Sequence, residues 1–176
     1  VHTVDAGTAA VAPPVRWFWI AAVVLALATL VQVYAIKPWL RQRHPWRVAR
    51  VQRLAPDIHE LAIEPDGHGG TAFRAGQFVW LRVAPSPWGL REHLFSVASA
   101  PEDGPGLRFV VKANGDFTSG IGAIEPGARA WIDGPYGRFG LTGADAEALV
   151  FIAGGVGLAP ILSLLREQIG RASCRE

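Results

Sequence analysis

The chain has 176 residues, half of them hydrophobic and 18% charged, with a formal net charge of +2. That length suits one domain with a short appendage, and the apolar share is high for a small soluble domain. The one cysteine, Cys174, excludes a disulfide framework and a cysteine-ligated metal or iron–sulfur centre.

Taken in chain order, residues 1–14 form a polar, alanine-rich start. Residues 15–36 then carry no charge after Arg16, and about 22 helical residues rise roughly 33 Å, the thickness of a bilayer core. A core helix would be shorter and show a polar face, and a signal peptide would start earlier and end in small residues at a cleavage site. The pattern therefore predicts a transmembrane helix over 15–36. Lys37, Arg41, Arg43, Arg47, Arg50 and Arg53 crowd its C-terminal flank, against Arg16 on the other side. The positive-inside rule then places the following domain in the cytoplasm, the whole being an integral membrane protein, expected in a bacterial inner membrane. Trp17 and Trp19 at one end, and Tyr34, Trp39 and Trp46 at the other, suit the two interfacial belts. The basic cluster is expected to meet anionic lipid headgroups, with no nucleic-acid partner. In the linker 37–45, Lys37-Pro38 and His44-Pro45 are expected to break the helix.

From Trp46 the pattern changes to short β-branched and aromatic runs separated by glycine and proline: 47–54, 58–64, 77–83, 95–98, 107–112 and 128–133. Six strands with one inward face each predict a small antiparallel β-barrel domain over 46–143. The continuous apolar run 148–153 predicts a buried parallel strand, followed by a glycine turn and an apolar helix over 158–166. Residues 144–168 thus open an α/β domain. The last eight residues, 169–176, resemble the translation of a short-read sequencing adapter, so the natural chain is expected to end near Gln168.

Four motifs carry the chemistry. His93-Leu-Phe-Ser96 pairs a flat aromatic with a hydroxyl on one strand. Gly115-Asp-Phe-Thr118 follows a strand and precedes a short helical pattern, 119–124, whose free amides suit an anion. In Gly134-Pro-Tyr-Gly137, two glycines permit a turn closed to other residues. Gly154-Gly-Val-Gly157 with Pro160 lies between strand and helix, where α/β domains cradle dinucleotide phosphates. His2, His44, His59 and His68 show no paired spacing, so no metal site is expected and solvated side chains are the default.

In this order and after a membrane helix, the motifs resemble the ferredoxin-reductase-type flavoprotein superfamily, specifically its ferric reductase and NADPH oxidase-like membrane branch. The fold implied is one transmembrane helix, an antiparallel β-barrel FAD-binding domain, and the first β-α unit of an α/β nucleotide-binding domain. The resemblance places Phe95 against the isoalloxazine ring, Ser96 near its reactive nitrogen as the catalytic hydroxyl, and Val97 beside them. It places Arg91 and His93 at the FAD phosphates. Gly115, Phe117, Thr118 and Ser119 form the pyrophosphate loop, and Gly154, Gly155, Gly157 and Pro160 the NAD(P)H loop. Leu94 departs from the branch, which usually has proline there. The resemblance also implies haem on histidines of membrane helices preceding Val1, an electron path from NAD(P)H through FAD to that haem, and ferric iron or another acceptor beyond it. Two rival readings stand beside it: a membrane-anchored flavin reductase serving a protein partner, and a non-enzymatic membrane-tethered barrel acting as a binding module.

Overall fold

The computed structural model describes residues 13–84, 86–88, 91–141 and 148–173. His2, Cys174 and the expected boundary between residues 143 and 144 lie outside them. The chain divides into two units, one running to Trp39 and the other from Leu40.

The first unit is helical. Helix α1 (Pro13–Val31) passes through a π-helical turn, Gln32–Ile36, directly into α2 (Lys37–Arg41). The expected break at Pro38 does not occur. The Lys37 N–H reaches back to the Gln32 carbonyl, which widens the turn just before the proline. The ring then clears the preceding carbonyl, and the missing N–H falls where the regular ladder is already interrupted. The chain leaves the helix only before His44-Pro45. Val15–Arg41 has a mean hydropathy of 2.2 over its most apolar stretch, none of which is buried. At 1.5 Å per residue it is about 40 Å long, apolar and long enough to cross a bilayer.

In the second unit all six expected strands form, with only their ends displaced: β1 (Trp46–Ala55), β2 (Ile58–Pro65), β3 (Phe78–Val83), β4 (His93–Ser96), β5 (Leu107–Lys112) and β6 (Arg129–Tyr136). They make one antiparallel sheet in the order β4-β3-β6-β1-β2-β5. The expected barrel is corrected, because β4 and β5 end the sheet without pairing into a ladder. Their nearest approach is a single backbone bond just beyond β4, from the Ala98 N–H to the Arg108 carbonyl at 2.7 Å. With only four residues, β4 is too short to hold two neighbours in register along its length.

Alternation builds the core. Leu107, Phe109 and Val111 of β5, Leu61 and Ile63 of β2, and Val79 and Leu81 of β3 turn inward onto Trp46 and Ile121. The expected 119–124 helix is displaced. Gly115 precedes helix α3 (Asp116–Ser119), Gly120 ends it, and Ile121–Ala123 forms a separate 3-10 turn.

The run 148–153 is not a strand. Val150 and Ile152 are 86% and 90% exposed, since a parallel strand needs a neighbour to pair with and the described residues offer it none. The helix after it forms and is longer than expected, as α4 (Leu158–Ser173). Buried Ser163 docks it, donating to the Ser99 carbonyl at 2.6 Å while its oxygen accepts from the Gly76 N–H at 3.4 Å. Arg166 adds a bond to the Ala98 carbonyl. Ser163→Ala leaves a buried carbonyl unpartnered, so it is expected to lower the free energy of unfolding by about 1–2 kcal/mol, read in a urea titration.

Candidate functional site

Strand β4 forms one edge of the sheet, paired to β3 with Phe78 opposite Ser96 and Leu81 opposite His93. Successive side chains point to opposite faces, so His93 and Phe95 share the side of Val79 and Leu81, and Leu94 and Ser96 share the other. The His93 ring lies flat on Phe117, 4.1 Å between centroids at 8°. Phe95 completes the group, 6.2 Å from both Phe117 and Phe109. On the opposite face, Phe78 is 6.0 Å from Tyr136. Because the Val97 N–H bonds back to Gln77, the alternating ladder directs the Leu94 and Ser96 amides toward the free edge.

A cavity of about 570 Å³ opens beside the start of β4, lined by Arg82, Val83, Ala84, Arg91, His93, Asp116 and Phe117. It collects Arg91, His93 and Phe117 from the residues the sequence singled out. Gly115 and Thr118 belong to the adjoining turn, where the Thr118 hydroxyl accepts from the Asn114 N–H and donates to the Gly115 carbonyl. Ser119 donates its N–H to the same carbonyl at 2.8 Å. The hydroxyl of Thr118 is thus engaged in shaping the turn. Val97 is fully buried in the core, where its side chain packs.

Gly154, Gly155 and Gly157 lie outside the cavity lining, on the turn into α4, and a Cβ on any of them would meet nothing within 4 Å. Pro160 sits in the first turn of α4, where a proline costs no helical bond. His68 is no solvated side chain: its Nδ1 accepts from the Gly70 N–H, which leaves Nε2 to donate to the Pro45 carbonyl at 2.8 Å.

Two residues outside the motifs complete the site. Arg82 is buried, with Nη2 donating to Glu92 Oε1 at 3.1 Å, while Nε and Nη1 have no partner among the described residues. Glu92 also receives Arg41, which bonds to Asp133 as well. Sequence reading missed Arg82 because alternation along β3 marked it as an outward, solvated position. Its register opposite Glu92 was the available clue.

Asp133 accepts from the Tyr136 hydroxyl at 2.8 Å. Partial burial first, then that bond and the carboxylate's charge, push the Tyr136 pKa above its usual 10.0, with Arg41 opposing. A raised folded-state value means this stabilisation is complete below the unfolded pKa and is lost as pH rises through the folded one. An ultraviolet titration should show a tyrosinate forming above pH 10.0 that Tyr136→Phe removes and Asp133→Asn brings down.

No family model matches the chain. Ferredoxin–NADP reductase B of Sorangium cellulosum is 33% identical over 125 residues, 70% of this chain and 51% of that protein. The propane 2-monooxygenase reductase component of Rhodococcus jostii is 32% identical over 134 residues, 74% of this chain and 35% of that protein. The solved structure of the Amycolatopsis cytochrome P450 reductase GcoB matches with a TM-score of 0.61 at 27% identity, covering 74% of this chain and 40% of that one. The chain belongs to the ferredoxin-reductase-type flavoprotein superfamily. It spans about half the length of the first relative and about a third of the second.

Proposed function

We propose that this chain is the FAD-binding part of a membrane-anchored oxidoreductase that moves electrons from NAD(P)H to a partner. The observation that carries the reading is the cavity at β4, lined by Arg91, His93, Asp116 and Phe117. A cationic wall at Arg91 next to a stack of aromatic rings matches a ligand that is anionic at one end and flat at the other. FAD fits that description.

Each residue then has a task. Arg91 and His93 hold phosphate, and Gly115 lets the backbone approach it, in a turn that Thr118 and Ser119 stiffen. Phe95 and Phe117 supply apolar area to the ring system. Ser96, whose hydroxyl has no partner among the described residues, meets the ring edge together with its own outward amide. When bound, FAD accepts two electrons together and releases them singly. Gly154, Gly155, Gly157 and Pro160 are proposed to receive the NAD(P)H phosphates at the start of α4, the longer of the two helices in the second unit that carry a glycine before their first turn.

The helix Val15–Arg41 supports a membrane anchor, with the second unit on the cytoplasmic side of a bacterial inner membrane. It contains no histidine, so in a ferric reductase-like parent the haem ligands would come from other helices. The relatives, a ferredoxin–NADP reductase and the reductase component of a monooxygenase, favour a protein as acceptor. The experiment is an absorbance spectrum of the purified chain in neutral detergent, after adding FAD and removing the excess. Retained flavin is expected, and a folded chain that keeps none would sink the reading. Resistance of the membrane-associated chain to alkaline carbonate extraction tests the anchor separately, since a peripheral protein would be released.

A further inference from the structure

Arg41 is the last residue of α2 and closes the apolar helical stretch Val15–Arg41, yet it belongs to the second unit. Its guanidinium is forked, with Nη1 donating to Glu92 Oε1 and Nη2 to Asp133 Oδ2. The arginine side chain is 14% exposed and each carboxylate 22%, so solvent ions screen these pairs less than they would a surface pair. The two acceptors stand on opposite sides of β3. Asp133 of β6 is opposite Trp80, while Glu92 directly precedes His93, which on the other side of β3 is opposite Leu81. Arg41 therefore bridges β3 and ties the entry of β4 to β6.

That tie falls on the part of the sheet with the least support of its own. Strand β4 has four residues, lies at the edge and pairs with β3 alone, and elements with so few partners open locally at low free energy. Glu92 also sits between Arg91 and His93, both of which line the cavity. Arg82 donates to Glu92 as well, but from β3, the strand to which β4 is already paired. Among the described residues, Arg41 alone holds Glu92 from beyond β3. A planar guanidinium can grip two carboxylates at once in fixed geometry, which an ammonium cannot. We propose that Arg41 is a positioning residue for the cofactor strand, making the order of β4 depend on the docked end of the anchoring helix, so that anchoring and cofactor binding are coupled. The identity of the cofactor rests on the flavin reading above, whereas the hold of Arg41 on β4 is tested without it.

The first test is amide hydrogen exchange, followed by mass spectrometry, on the full chain in neutral detergent without FAD. Arg41→Gln should speed exchange in peptides covering 91–97 about tenfold, as for loss of a charge-assisted hydrogen bond, and change peptides of β1, β2 and β5 less than about twofold. Arg41→Lys should recover part of the protection. Equal acceleration throughout the second unit would mean a general loss of stability and would overturn the proposal, as would unchanged exchange at 91–97. If Arg41→Gln does not fold, Asp133→Asn removes the far limb of the fork and leaves Glu92 and β4 untouched. It should loosen 91–97 all the same, and no change there would overturn the proposal. Where both variants fold, the double variant should exchange at 91–97 no faster than Arg41→Gln, because the two act through one link. Additive effects would mean that Arg41 is not that link.

The second test is FAD affinity by flavin fluorescence titration. In Arg41→Gln, binding has to order the neighbours of Glu92 as well, so affinity should fall about fivefold. A loosened β4 with undiminished FAD affinity would overturn the coupling. If the wild-type chain binds no FAD, the flavin reading falls, and the exchange pattern alone decides whether Arg41 positions β4.

Discussion

Gly76→Ala is expected to cost the second unit about 3–5 kcal/mol, a large part of the stability of a typical domain. Gly76 has φ +86°, and a Cβ there would lie 2.3 Å from the Phe139 carbonyl oxygen and 3.1 Å from its carbon. Those are backbone atoms, which cannot swing aside as the end of a side chain would. The segments also meet where α4 docks, since the Gly76 N–H donates to Ser163. Relief of the clash would therefore disturb the helix as well. Gly104→Ala separates the two components of strain. It has φ +104°, but a Cβ there meets nothing within 4 Å, so only the conformational cost of about 1–2 kcal/mol should appear. Thermal unfolding followed by circular dichroism measures both. Equal shifts for the two variants would mean that the close approach to Phe139 is not felt.

The strands were legible because period-two alternation is a local signal that tertiary packing here reinforces. Leu107, Phe109 and Val111 alternate with Arg108 and Val110, and the structure buries that first set. Closure of the sheet was not legible, because it depends on how β4 and β5, consecutive in the chain, approach across the four strands that separate them in the sheet. The run 148–153 shows the opposite failure. Its composition reads as a buried strand, but a parallel strand takes its hydrogen bonds from neighbours, and none among the described residues reaches it. Pro38 was read from a sound local rule, and the π-helical turn before it made room for the exception.

The site was legible as motifs but not as an enclosure. Phe117 lies far from His93 and Phe95 in the chain, yet the three rings gather within 6.5 Å of one another. Arg82 and Glu92 escaped notice because their meaning comes from burial, and nothing in Phe78–Val83 says that the third outward position of the strand will be covered. The chain of pairs from Arg82 through Glu92 and Arg41 to Asp133 and Tyr136 joins residues whose neighbourhood only the sheet register creates. It links the entry of β4 to the end of β6, so a charge change at either end has a path of contacts to the other.

His93→Glu should reduce FAD affinity by about a hundredfold or more, the largest change foreseen for a single substitution at the site, because like charges brought together cost several kcal/mol. His93 lines the cavity together with Arg91 and Asp116, its ring flat on Phe117. A glutamate there adds a second carboxylate to a lining that holds one, and puts it where the phosphates of FAD are proposed to lie. His93→Gln removes the ring without adding a negative charge, so it should cost about tenfold. Neither change should lower the melting temperature by more than the loss of one half-buried stacking contact, about 1 kcal/mol. Equilibrium dialysis against FAD, with circular dichroism as the fold control, separates these effects. If both variants bind FAD as the wild type does, the phosphates lie elsewhere and the cationic wall serves another anion. If glutamate alone abolishes binding, the sign of the charge at the mouth of the cavity, more than the imidazole itself, governs entry.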